Sequence, residues 1–310
     1  MTDTTTLVIS ADVLKGTIDA TTVGRIHTDV GLTGDGVKVG IIDDGKVQAC
    51  SEIASSRITY LSPSQSRDDN HATNVARLAA GSNGVAPDAS IYSSYGGITY
   101  EESQEDNGAN SDFIKSIINQ TNAGVHVVNY SMGLLYNRST TPYMGLEMYL
   151  DYMVRNQRLT FVKSSGNYRG VIHAPGLAYN IITVGSFNNG RSEDQSDDTM
   201  YGNSSFDHGT DCFKPDLVAD QAIAGTSFAA PVMTGTVALL YELRPALINQ
   251  PEAVKAILMA FCHRKVNPYY SDETEYMSDG LTNIQGAGAL DPYRAIAIAG
   301  SGHYGVRTMA

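Results

Sequence analysis

Four side chains carry groups that could do covalent chemistry together. The run Gly225-Thr226-Ser227-Phe228-Ala229-Ala230-Pro231 places the hydroxyl of Ser227 at a tight Gly-Thr turn, directly before an apolar stretch. A serine at a helix start is surrounded by backbone N–H groups without intrahelical partners, and these can stabilise a developing oxyanion. Serine is a weak nucleophile unless a base takes its proton, and the base needs an orienting acid. Upstream, Asp43 lies in Val37-Lys38-Val39-Gly40-Ile41-Ile42-Asp43-Asp44-Gly45, and His71 in Asp69-Asn70-His71-Ala72-Thr73-Asn74-Val75-Ala76. Asn167 ends Leu159-Thr160-Phe161-Val162-Lys163-Ser164-Ser165-Gly166-Asn167, and its amide could donate to an oxyanion. Each residue also has a plainer reading. Ser227 would serve as an N-cap, Pro231 as a first-turn proline, Asp43 and Asn167 as turn residues, and His71 as an ordinary polar histidine among seven.

The elements that must hold these groups are legible from apolar patterning. Runs at 37–42, 90–95, 125–131, 159–164 and 180–186 read as strands of a buried parallel sheet. Helices are expected near 71–80, 110–122, 143–156, 227–243 and 251–262, with Asp69 or Asn70 capping the one that carries His71. The stretch from Phe228 to Leu243 is too apolar for a surface helix and predicts a buried one. The alternation of strand and helix predicts an α/β fold of three layers, a mostly parallel central sheet flanked by helices. Ligands in such folds bind beyond the carboxyl ends of the strands. Asp43, Ser131 and Asn167 all fall at such ends, which predicts one shared cleft.

Composition sets bounds on the rest. A chain of 310 residues can bury one large core. Its formal net charge of −12 argues against nucleic acid and anionic membrane as partners. No apolar run has transmembrane length. The start Met1-Thr2-Asp3-Thr4-Thr5-Thr6 lacks the basic and apolar regions of a secretory signal, and Cys50, Cys212 and Cys262 show no metal spacing. A cytoplasmic enzyme with free thiols is the default expectation, and a secreted mature form stays open.

The four segments, in the order Asp, His, Asn, Ser, resemble the subtilisin-like serine proteases, or subtilases. The resemblance runs from about Gly31 to Ala297. It includes Gly84-Val85-Ala86-Pro87, Asn129-Tyr130-Ser131-Met132-Gly133, Lys214-Pro215-Asp216-Leu217-Val218-Ala219 and Gly286-Ala287-Gly288. It implies a serine endopeptidase acting on peptide or protein substrates without a cofactor. Asp43 would orient His71, His71 would act as general base, Ser227 would attack and Asn167 would complete the oxyanion hole. The pocket for the residue before the scissile bond would have Ser131-Met132-Gly133 and Ser164-Ser165-Gly166 as walls, His173 near its base and Arg169 close by. It also implies a domain spanning 31–310, with 1–30 as an N-terminal extension packing on it. The rival class is a peptide-binding pseudo-protease of the same fold without turnover.

Several residues depart from the family pattern. The histidine motif reads His71-Ala72-Thr73-Asn74, where relatives carry a second histidine, and the acid motif reads Asp43-Asp44-Gly45. Lys163 occupies a normally apolar strand and needs a partner if buried. Ala80-Gly81-Ser82-Asn83-Gly84 is shorter than the calcium loop of subtilisin, so no metal site is expected there. Glu101, Glu102, Glu105, Asp106 and Asp112 place acids along the expected non-primed edge of the cleft. About thirty residues precede Gly31, below the roughly 40 at which a chain folds alone, so either a pro-region has been removed or a protein inhibitor or regulator restrains the enzyme. These departures tilt the expectation toward dedicated processing rather than broad turnover.

Overall fold

Short runs rich in Val and Ile, buried on both faces, build the central sheet. A computed structural model describes residues 23–61, 70–96, 107–133, 145–190, 194, 196–206, 213–221, 224–262, 266–270 and 281–301. The strands are β1 (Lys38–Asp43), β2 (Ile58–Tyr60), β3 (Ser90–Tyr95), β4 (Val127–Tyr130), β5 (Thr160–Ser164), β6 (Ile182–Asn188), β7 (Thr199–Met200) and β8 (Leu217–Asp220). Their order is β2-β3-β1-β4-β5-β6-β7, with β8 also paired to β6. Every pairing is parallel except β6 with β7.

Among the described residues six longer helices connect and cover the strands: α1 (Asn70–Ala80), α2 (Asn107–Asn122), α3 (Gly145–Gln157), α4 (Thr226–Leu243), α5 (Pro251–Ala260) and α6 (Pro292–Ser301). Alternate strand residues feed two cores, as the two-residue period of a strand requires. On one side Val39, Ile41, Val162 and Val184 pack with Ala76 of α1 and Val232, Met233 and Leu240 of α4. On the other, Ile42, Val128, Tyr130 and Phe161 meet Phe113 and Ile117 of α2 and Leu150 and Val154 of α3. The result is the three-layer α/β architecture, and α4 is buried along most of its length.

The turn 213–217 is fixed by charge. Asp216 Oδ2 accepts from Lys214 Nζ at 2.8 Å and from the Thr183 N–H at 2.7 Å, and its Oδ1 faces Lys255 Nζ at 2.8 Å. That arrangement accounts for Lys214 and Asp216 in the sequence as structural groups. Val23 and Ile26, in a short helical segment ahead of β1, are fully buried in the larger core. Residues 1–22, Asp69, Glu101, Glu102, Glu105, Asp106 and Cys212 lie outside the described residues. No helix among the described residues is long and apolar enough to cross a membrane.

Candidate active site

Asp43 is the last residue of β1 and is fully buried. Its Oδ1 accepts the Asp44 backbone N–H at 2.9 Å and lies 2.9 Å from His71 Nδ1. A carboxylate can only accept, so the contact fixes the proton of the imidazole on Nδ1. His71 sits in the first turn of α1 with 32% of its side chain exposed, at the cleft end of that helix. Its ring centroid is 5.5 Å from that of Phe228 on α4.

Ser227 is the second residue of α4, which corrects the plainer reading: the N-cap position is Gly225, at φ +133°, and Pro231 lies inside the helix rather than in its first turn. Pro231 has no N–H to offer the carbonyl four residues earlier, which is that of Ser227. That carbonyl instead accepts from Ser131 Oγ at 2.8 Å. Ser131 Oγ in turn accepts from Asn129 Nδ2 at 2.9 Å, and Asn129 Oδ1 accepts from Thr234 Oγ1 at 3.0 Å. A buried chain of hydrogen bonds therefore clamps the carboxyl end of β4 to the first turns of α4. Ser227 Oγ donates to the Ser131 carbonyl oxygen at 3.1 Å.

Asn167 follows Gly166, whose φ of +115° suits glycine and turns the chain out of β5. The Asn167 Oδ1 accepts from the Thr226 N–H at 2.9 Å and from Thr226 Oγ1 at 3.2 Å. With its oxygen held, the amide turns Nδ2 the other way. Thr226 Oγ1 also accepts the Gly166 N–H at 3.1 Å, and Gln221 Oε1 accepts the Gly225 N–H at 2.9 Å. Sequence reasoning did not single out Thr226, Gln221, Asn129 or Thr234 as supports. Thr226 and Asn129 stood inside motifs already noted, whereas Gln221 and Thr234 are ordinary polar residues six and seven positions from Ser227 and carried no signal.

The expected pocket walls are adjacent in space. Ser131 and Met132 leave β4, and Ser164 ends β5, its neighbour in the sheet, with Ser165 and Gly166 leading out of it. His173, 7% exposed, packs behind both: a Cβ added to Gly133 would lie 2.7 Å from its Cβ, and one added to Gly166 would lie 2.4 Å from its Cδ2. Its backbone N–H donates to the Ser165 carbonyl at 2.9 Å, and its ring stacks on Tyr168. Ser165 Oγ is buried with no hydrogen-bond partner among the described residues. Arg169 lies over the rings of Tyr270 and Phe206, at 4.4 and 5.5 Å. Lys163 is fully buried; its Nζ donates to the Ser164 carbonyl and lies 3.3 Å from Ser164 Oγ. Burial pushes its pKa down to about 7, countered in part by the charge of Glu147 on α3.

Residues 34–288 match the sequence model of the subtilase family (Peptidase_S8). The chain belongs to the subtilase family. It is 26% identical over 235 residues to the alkaline protease of Alkalihalobacillus alcalophilus, a match covering 71% of this chain and 57% of that one. The chain thus spans little more than half the length of that curated relative. Among solved structures, MycP1 with its N-terminal propeptide removed superposes with a TM-score of 0.68 at 18% identity, over 91% of this chain and 96% of that one. The prenylagaramide maturation protease PagA gives 0.63 at 18% identity, over 89% and 98%.

Proposed function

We propose that this subtilase hydrolyses peptide bonds through an acyl-enzyme, with Ser227 as nucleophile, His71 as general base and acid, Asp43 as its orienting carboxylate and Asn167 in the oxyanion hole. The observation that carries the reading is the 2.9 Å contact of His71 Nδ1 with the fully buried Asp43, beside a helix start that bears a serine hydroxyl. With the proton fixed on Nδ1, Nε2 is left as the basic atom. Ser227 Oγ turns from the Ser131 carbonyl to give its proton to Nε2 as it attacks the scissile carbonyl carbon. The oxygen that gains the charge is met by the Ser227 N–H and by Asn167 Nδ2. The imidazolium then protonates the departing amine, and water repeats the sequence on the ester, regenerating Ser227. Asp43 balances the imidazolium charge from a site closed to solvent.

The natural role we propose is limited processing of a precursor or partner protein. The support is the polar, charged surroundings of the pocket walls, which narrow the range of acceptable side chains. PagA, which shares the fold, is itself a maturation protease.

An alkyl fluorophosphonate tests the chemistry. Labelling at Ser227, lost in Ser227→Ala and reduced about as much in His71→Ala, is the expected result, because groups acting as a unit fail together. Asn167→Ala should lower kcat about 100- to 1000-fold. A folded chain that takes no label would be a peptide-binding module of the same fold.

A further inference from the structure

We propose that Lys163 sets the substrate preference of this site: its ammonium closes the pocket for the residue before the scissile bond and selects a glutamate or aspartate side chain there. The inference rests on the assignment of Ser227 as the nucleophile, because that assignment makes the adjoining walls a substrate pocket.

Lys163 is the penultimate residue of β5 and is paired in register with Tyr130, the last residue of β4. Those two strands run on into the two walls, so a side chain at this position lies beneath both. The Nζ atom confirms the placement. It donates to the carbonyl of Ser164 on one wall, and a Cβ added to Gly133 on the other would come within 3.0 Å of it. Its remaining neighbour of note is the Tyr130 ring, with the centroid 5.6 Å away. His173 packs against the same point of Gly133, so imidazole and ammonium share the rear of the walls.

A lysine here is costly. A buried ammonium without a counter-charge in contact destabilises the fold. Among the described residues no carboxylate is in ion-pair contact with Lys163; Glu147 acts on it only through its field. One carbonyl and one hydroxyl of a single residue take part of its donor capacity, and an ammonium has three donors. Nothing in the packing of Tyr130 and Phe161 requires a charge at this position, where a Met would fill the same volume. A carboxylate entering between Gly133 and Gly166 supplies the missing partner. An amide or aliphatic side chain would leave the ammonium as it was and gain nothing from it.

The test has two arms that fail separately. In the first, a digest of a denatured proteome is profiled for the residue before each cut, with the parent and Lys163→Met, while fluorophosphonate labelling reports whether each is folded and competent at Ser227. The parent should cut after Glu or Asp at least 10-fold more efficiently than after Gln. Lys163→Met should lose that preference, gain Met and Leu, and keep its labelling. In the second arm, acetylated oligoalanine peptides ending in Glu, Gln or Leu are titrated calorimetrically against Ser227→Ala, which needs no turnover. Tighter binding of the Glu peptide, abolished by adding Lys163→Met, supports the pocket even if the parent takes no label, in which case only the catalytic reading falls. A parent that prefers large aliphatic residues, or a Lys163→Met protein that still selects Glu, overturns the proposal.

Discussion

Lys163→Met, combined with Glu147→Gln so that the carboxylate whose field acts on the lysine is neutralised with it, should change how the stability of this chain depends on pH. Lys163 is fully buried and its pKa lies near 7 in the folded chain, against the ordinary 10.5. Between those values the unfolded chain binds more protons than the folded one, so the free energy of unfolding climbs as pH rises. The full difference is worth roughly 5 kcal/mol, and the part gained between about pH 6.5 and 9.5 is about 3 kcal/mol. The variant lacks the lysine and should lack this rise. Urea unfolding of both proteins, each also carrying Ser227→Ala to prevent self-digestion, gives the comparison at intervals across that range. His126, whose pKa is lowered by burial and by Lys38, and Tyr241, raised by burial, titrate in both proteins and cancel in the difference. Glu147, Tyr130 and His173 are the ionisable groups nearest the change. Parallel curves, agreeing within about 0.5 kcal/mol over the whole range, would refute the claim that Lys163 is held against its charge.

Two further predictions follow from the supports of the site. Thr226→Val removes the hydroxyl that anchors the Asn167 oxygen and the Gly166 N–H, so kcat should fall, by less than in Asn167→Ala, with KM little changed; an equal loss in both parameters would mean that the pocket wall moved instead. The turn 80–84 is closed by its own backbone, with Gly81 N–H on Arg77, Ser82 N–H on Glu52 and Gly84 N–H on Gly81, so a chelator should move Tm by less than about 2 °C in calorimetry. A drop of about 10 °C would mean that a metal ion stabilises the native chain.

The layered architecture was readable because its strands and helices are long enough to show a period. Lys38–Asp43 and Ser90–Tyr95 are built mostly of apolar or small residues, Thr160–Ser164 likewise but for Lys163, and α4 announces itself by being apolar around most of its surface. The strands β2 and β7, of three and two residues, are too short for a pattern to register, and the four residues of β8 lie directly behind Lys214, Pro215 and Asp216 without the longer apolar run that marks β4. They exist because a neighbouring strand offers an edge, a fact of tertiary pairing that local sequence does not contain. Helix α6 was missed for a related reason: Pro292 and Gly300 bracket a run of Ala and Ile whose burial depends on α4 and on the segment around Val23.

The same division applies inside the site. Asp43, His71, Asn167 and Ser227 could be named because chemistry restricts their residue types, and a helix start or a strand end restricts where they fall. The supports could not be named in that way, since a hydroxyl or amide is an ordinary residue until its partner is known. Pro231 shows the point. By sequence it looks like helix-initiating punctuation, yet its place in the second turn of α4 frees the Ser227 carbonyl for Ser131. A proline there thus does for the nucleophile what a capping residue does for an ordinary helix: it decides which backbone group must look elsewhere for a partner. Lys163 lies between the two cases. Its oddity as a charge in an apolar strand was visible at once, but only the register of β4 with β5 puts the ammonium under both Gly133 and Ser164. A charge that violates the local pattern is a question posed by sequence, and the geometry around it supplies the chemical class of the answer.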